Sequence, residues 1–169
     1  MQLAKKKCSY YTEVFENLIE KLQEKKIPLN ATCQTIENPF RHDFELADLI
    51  YNKKVDNILK KLIDKNYVLI NTNIINRIYK KFKYKKKERL GRDWHHDSRI
   101  VGNKKLEKGI FYLVIIMFND FTKKNASTLY IPKSHTRKDQ PKRKFNYKSK
   151  QLLGKAGTIA IFDAGLWHR

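Results

Sequence analysis

Cysteine is nearly absent from this chain: Cys8 and Cys33 are the only two among 169 residues. With no second pair and no Cys-x-x-Cys, the sequence argues against a disulfide framework and against a thiolate-held metal. Long apolar runs are missing as well. The longest, Ile110 to Phe118, is far short of the ~20 residues that a membrane-spanning helix needs. The basic start, Met1-Gln2-Leu3-Ala4-Lys5-Lys6-Lys7-Cys8, lacks the apolar stretch of a secretory signal. These absences point to a soluble protein of a reducing cytoplasm, with both thiols reduced. No internal repeat is visible, and the length fits a single domain, 1–169.

Acidic residues are also scarce, 17 Asp and Glu against 37 Lys and Arg, giving a formal charge of +20. Such an excess raises nucleic acid, a membrane surface or an anionic ligand as partners. Lys, Asn and Ile are abundant throughout, however, so a global composition bias accounts for the larger share. Two stretches exceed that background. Lys80 to Arg92 holds eight basic residues against Glu88, and Lys133 to Lys150 holds eight against Asp139. Each lies near a proposed site segment.

Tyr11, Val14, Phe15, Leu18, Ile19 and Leu22 recur at the three-and-four spacing of a helix with one apolar face, and Pro28 follows its end. Val55, Ile58, Leu59, Leu62 and Ile63 repeat the pattern, followed by Asn66 and the strand-like Tyr67-Val68-Leu69-Ile70. Ile74 to Tyr79 fits either a strand or a helical turn. From about Trp94 the chain becomes a series of short β-rich runs: a central strand over Ile110–Phe118, ended by Asn119-Asp120; a shorter one from Ser127 to Ile131, stopped by Pro132; and Thr158 to Phe162 after the Gly157 turn. A helical part of about 1–66 and a β part of about 67–169 suit an α+β domain built around a sandwich or barrel.

Two segments carry the chemistry. Trp94-His95-His96-Asp97 sets an imidazole and a carboxylate two residues apart, which an extended backbone points to one face. Asp163-Ala164-Gly165-Leu166-Trp167-His168-Arg169 adds a second imidazole. Two His and one carboxylate, with the remaining positions open, form the facial triad that holds non-haem Fe(II) in oxygenases. A His-x-Asp triplet alone is a weak signal. Here both His follow a Trp and lie beside apolar strands, where an unpaired imidazole or carboxylate would be costly to bury.

These residues resemble the phytanoyl-CoA dioxygenase-like (PhyH-like) family of Fe(II)/2-oxoglutarate-dependent oxygenases. Trp94-His95-His96-Asp97 is similar to that family's Trp-His-x-Asp segment. Asp120, Asn125 and Pro132-Lys133-Ser134-His135 follow in the order of its strand-turn-strand element, and Gly157 to Arg169 resembles the segment bearing the distal ligand. The resemblance implies a double-stranded β-helix (a cupin-like jelly roll) with N-terminal helices packed on it. It implies Fe(II) held by His95, Asp97 and His168, with 2-oxoglutarate as cosubstrate. Tyr112, on the central strand, is a candidate to line the cosubstrate pocket. Asp97 favours hydroxylation over halogenation, since halogenating members replace the carboxylate. His96 fills a variable position, His135 is expected to stabilise a turn through its side chain, and His42 is a loop residue.

Lys133 and Ala126 stand where the family commonly has Gly, so those turns are expected to be built differently. The chain stops at Arg169, before a last strand and before the basic residue that would pair with the distal carboxylate of 2-oxoglutarate, which leads us to expect a C-terminally truncated sequence. The resulting expectation is a dioxygenase that uses dioxygen to hydroxylate a C–H bond of a small molecule, with an anionic one favoured by the basic loops, releasing succinate and CO2. Two rivals stand beside it: an inactive fragment of such an enzyme, and a basic nucleic-acid-binding protein with structural His, in which Phe82, Tyr84, Phe145 and Tyr147 would interleave with the charge.

Overall fold

The computed structural model describes residues 5–24, 34–76, 93–98, 100–101, 104–105, 109–125, 127–142 and 145–169. Pro28, Cys33, Ala126, residues 77–79 and the basic run 80–92, with Phe82 and Tyr84, lie outside the described residues. The architecture consists of helices and small antiparallel sheets. Lys6–Lys83 forms one compact unit and Tyr84–Arg169 the body of another.

In the first unit, α1 spans Lys5–Glu24. Its predicted apolar stripe is buried at Tyr11, Phe15, Leu18, Ile19 and Leu22, and Cys8 extends it by one turn. Strand β1 (Gln34–Glu37), a segment with little strand signal, pairs antiparallel with β2 (Asn73–Asn76). The β-branched content of Ile74 and Ile75 therefore prevails over helical periodicity at 73–76. Two 3-10 turns, Pro39–Arg41 and Phe44–Leu49, lead to α2 (Lys53–Leu62). Asn52 caps α2 by accepting hydrogen bonds from the Lys54 and Val55 amides at 3.1 and 3.2 Å. Val55 and Leu59 are buried, and Lys60 pairs with Asp56 one turn back at 2.8 Å.

The strand expected at Tyr67–Ile70 does not form. Val68, Leu69 and Ile70 are 78, 54 and 51% exposed and pair with no strand among the described residues. β-propensity describes side chains that fit a half-buried pleated surface, and without a partner it selects nothing. Tyr67 instead donates its hydroxyl to Asp56 on α2 at 2.8 Å.

The second unit holds β3 (Ile100–Val101) and β4 (Lys104–Lys105), which pair with each other. It also holds β5 (Tyr112–Ile116), β6 (Leu129–Tyr130), β7 (Lys150–Gln151) and β8 (Ile159–Asp163). Apart from β3 and β4, its pairings are nested. His95 pairs with His168, β5 with β8, Phe121 with Gly154, and β6 with β7, all antiparallel. The chain thus runs out along one leg from residue 95 to 130 and back along a second from 150 to 168. The far end then returns: Tyr130 also bridges His168, and Leu129 and Arg169 exchange both backbone hydrogen bonds at 2.9 Å. One ladder therefore has the order 95, 168, 130, 150, and β5–β8 forms another.

Strands β5 and β6 are shorter than the apolar runs that announce them, because ladder hydrogen bonds stop where the turns begin. Asp120 anchors one such turn, accepting the Ala156 amide at 2.9 Å and Lys155 Nζ at 2.8 Å. Asn125 closes the same turn by accepting the Thr122 amide at 2.7 Å. Where a turn without Gly was expected to need another construction, Lys133 itself adopts the left-handed conformation, φ 65° and ψ 5°. That conformation costs a side-chain-bearing residue about 1–2 kcal/mol, partly offset in glycine by the entropy it loses on folding. Lys133→Gly is expected to raise stability by about 1 kcal/mol, read as a higher urea midpoint at unchanged m-value; a lower midpoint would contradict the turn assignment.

Candidate metal centre

Residues 93–98 cross the ends of the two ladders. The His95 amide donates to the His168 carbonyl at 3.0 Å and the His168 amide returns a bond at 2.9 Å. Two residues on, the Asp97 and Ser98 amides both donate to the Ala164 carbonyl, at 2.8 and 3.0 Å. Side chains alternate along such a backbone. Trp94 and Trp167 are therefore buried, at 1 and 0% exposure, while their neighbours His95 and His168 turn to the other side.

On that side the rings lie 4.3 Å apart between centroids. His95 Nε2 is 4.0 Å from Asp97 Oδ1, and His168 Nε2 is 3.3 Å from Asp97 Oδ2. Each Nδ1 sits 2.9 Å from a backbone carbonyl two residues upstream, that of Asp93 for His95 and that of Leu166 for His168. A carbonyl only accepts, so Nδ1 carries the proton and, in the neutral ring, Nε2 keeps its lone pair for the space beside Asp97. Phe162 of β8 packs edgewise on His168, with centroids 5.8 Å apart.

Burial alone would raise the Asp97 pKa, but the His168 hydrogen bond and the charges of His168, His95 and His96 outweigh it and hold the carboxyl below its ordinary value. For His168, burial favours the neutral ring, yet the Asp97 hydrogen bond, the Leu166 carbonyl and the Asp97 charge prevail and raise the pKa. Both shifts describe one ion pair.

The donor set fits a divalent metal. Two imidazole nitrogens and a carboxylate oxygen lie within 4.8 Å of one another, and since two bonds of about 2.0–2.2 Å reach across at most ~4.4 Å, the side chains would close in on one ion as it bound. The side chains of His95 and Asp97 are 50 and 40% exposed, so the outer side stays open to further ligands. No other group of this kind occurs among the described residues.

The remaining sequence candidates lie elsewhere. His96 is held between Ser98 Oγ at 2.7 Å and Gln140 Oε1 at 2.6 Å. Tyr112 is opposite Asp163 in the β5–β8 register. It thus shares a face with Asp163, whereas Phe162, which touches His168, points to the other face. The structure does not bring Tyr112 to the cluster by any described contact. His42 caps the Pro39–Arg41 turn of the first unit.

The turn role expected of the His135 side chain belongs to its neighbour. Ser134, 1% exposed, donates to the Ile131 carbonyl at 2.8 Å and accepts the Trp167 amide at 2.7 Å. A hydroxyl both donates and accepts over a short reach, which the turn needs and a larger imidazole does not supply. Sequence reasoning also missed Gln140, Tyr147 and Phe162, which no spacing rule links to the His residues.

A family model described as phytanoyl-CoA dioxygenase (PhyH) matches residues 4–169. The chain belongs to this family. No curated protein and no solved structure gives a match. Phytanoyl-CoA dioxygenase family members are in general Fe(II)/2-oxoglutarate oxygenases acting on small molecules with dioxygen, and the His95–Asp97–His168 group could bind the metal they use. Among the described residues no helix is long and apolar enough to cross a membrane.

Ser134→Ala would strand the Trp167 amide beside the site, while the Ile131 carbonyl keeps its bond from the Ser134 amide at 3.2 Å. An unsatisfied buried group costs about 1–3 kcal/mol, so chemical denaturation should show a loss of that size. No loss would show that Ser134 does not tie the last segment down.

Proposed function

We propose that this chain is an Fe(II)/2-oxoglutarate-dependent oxygenase whose metal ligands are His95 Nε2, a carboxylate oxygen of Asp97 and His168 Nε2. The observation that carries the reading is the single ladder step pairing two His far apart in sequence, with both Nε2 atoms turned toward Asp97. Iron bound there, with 2-oxoglutarate and dioxygen, supplies the chemistry that hydroxylates a C–H bond of a small molecule as the cosubstrate leaves as succinate and CO2.

The chain's own residues supply placement and charge. The Asp93 and Leu166 carbonyls fix the two imidazoles in the tautomer that leaves Nε2 available. Asp97 brings the negative charge that a divalent cation needs, and the open side beyond His95 and Asp97 leaves positions for cosubstrate and dioxygen. Phe162 shields the flank of His168 from water. The nested pairings, with the return of Tyr130 onto His168, support a double-stranded β-helix as the scaffold of the second unit, and the family match over residues 4–169 supports reading 1–169 as one oxygenase domain.

Anaerobic addition of Fe(II) and 2-oxoglutarate should produce the visible charge-transfer band of a chelated complex, and His95→Ala or Asp97→Ala should abolish it. A folded chain with no band would overturn the reading in favour of a catalytically inactive protein.

A further inference from the structure

The face of the ladder opposite the triad carries a continuous aromatic stack. The Tyr147 ring meets Trp94 edge-on, with centroids 5.6 Å apart and planes at 88°, and meets Trp167 at 5.5 Å and 64°. Phe145 lies against Tyr147 at 4.6 Å. The outer faces are capped by guanidinium groups, Arg169 at 4.7 Å from the Trp94 ring centre and Arg137 at 4.5 Å from that of Trp167. Edge-to-face pairs at these separations contribute about 0.5–1.5 kcal/mol each beyond the area they bury.

The segment bearing Tyr147 is also fixed by hydrogen bonds. Trp94 Nε1 donates to the Phe145 carbonyl at 3.0 Å, and the Lys142 amide donates to the Tyr147 hydroxyl at 2.9 Å. The Phe145 amide donates to the Lys142 carbonyl at 3.0 Å. Arg137 is held to Asp139 by two bonds of 2.9 and 2.8 Å, and Gln140 reaches His96. Residues 137–142 and 145–147 therefore brace the Trp94–His95–His96 and Trp167–His168 segments from behind.

We propose that Tyr147 is a positioning residue for the metal site, setting the separation of His95 and His168 through the tryptophans that precede them. The inference rests on the metal reading above. The Cα of each His ligand is one bond-rigid peptide from the Cα of a Trp whose ring is locked against Tyr147, and alternation turns any shift of the Trp into an opposite tilt of the His. Metal centres need their ligands held within about 0.5 Å, and the two backbone bonds between His95 and His168 fix the strands' spacing but not the tilt of the side chains. A ring wedged between both tryptophans fixes the tilt. The Tyr147 hydroxyl faces its own loop, so the ring rather than the oxygen does this.

Titration with Co(II), followed by the ligand-field absorption of the bound ion, reads affinity and coordination geometry without turnover. Tyr147→Ala should weaken Co(II) binding about 10–100-fold, the range seen when outer partners of metal ligands are lost, and change the shape of the band. Tyr147→Phe, which keeps the ring, should bind as the unmodified chain does. A structural role alone would lower the unfolding midpoint while leaving affinity and spectrum of the folded protein unchanged, and that result would overturn the proposal. If the Ala variant does not fold, Tyr147→Leu, which fills the space without an aromatic edge, carries the same expectation. Failure of the unmodified chain to bind Co(II) would overturn the metal reading itself, and the proposal with it; tight binding unaffected by Tyr147→Ala would overturn the proposal alone.

Discussion

The rest of the second unit depends on one step of backbone pairing, the reciprocal bonds between His95 and His168. It closes the outermost rung of the nested pairs and brings two imidazoles distant in sequence to one carboxylate. Loop closure over such a separation adds an entropic cost that grows slowly with length, and ordering the backbone costs roughly 1–2 kcal/mol per residue before any contact compensates. The compensation comes from the inner rungs. β5 and β8 pair over five residues each, the Phe121–Gly154 and β6–β7 rungs follow, and the return of Leu129 and Ile131 onto Arg169 and Trp167 holds the last segment on both of its edges.

The charge on the triad follows from the same step. Side by side, two imidazoles would repel if both were protonated, and Asp97 between them decides the outcome. His168 holds the Asp97 carboxyl below its ordinary value and Asp97 raises the pKa of His168, so each favours the charged form of the other. A divalent cation would take the place of the shared proton. Burying a carboxylate without such a partner would be costly, and the partial exposure of His95 and Asp97 keeps that cost down while leaving a way in.

Much of this was legible in sequence because it depends on periodicity. The stripe from Tyr11 to Leu22 marks α1, and the two-residue spacing of His95 and Asp97 puts both on one face. What was not legible depends on partners. Tyr67–Ile70 has the composition of a strand and no ladder to join among the described residues, whereas Gln34–Glu37 has little strand signal and pairs with β2. The turn role belongs to Ser134 rather than His135, because a small hydroxyl can serve a donor and an acceptor at once in a space closed to water. Lys133 takes a conformation that favours glycine, so residue type alone misleads about the turn it occupies. The basic excess divides in a way that composition does not reveal. Arg137 and Arg169 lie over tryptophan faces, while Lys60 and Lys155 pair with Asp56 and Asp120. These four, of the 37 basic residues, are engaged within the fold.

The two faces of the His95–His168 ladder are chemically opposite and mechanically one object. Its outer face must be polar, open and able to exchange ligands, and such a surface has few apolar contacts with which to hold itself rigid. Its inner face has the reverse properties: Trp94 and Trp167 are fully enclosed, and Ser134, Phe145 and Tyr147 fix them by hydrogen bond or ring contact. Because the side chains of a strand alternate, rigidity created on the inner face is transmitted to the outer one through a single peptide unit. A His preceded by a large buried aromatic thus obtains order from the core without being buried in it. That reasoning gives the Trp-His pairing at both candidate ligands a physical purpose: the site keeps its solvent access because its precision is generated on the side that solvent does not reach.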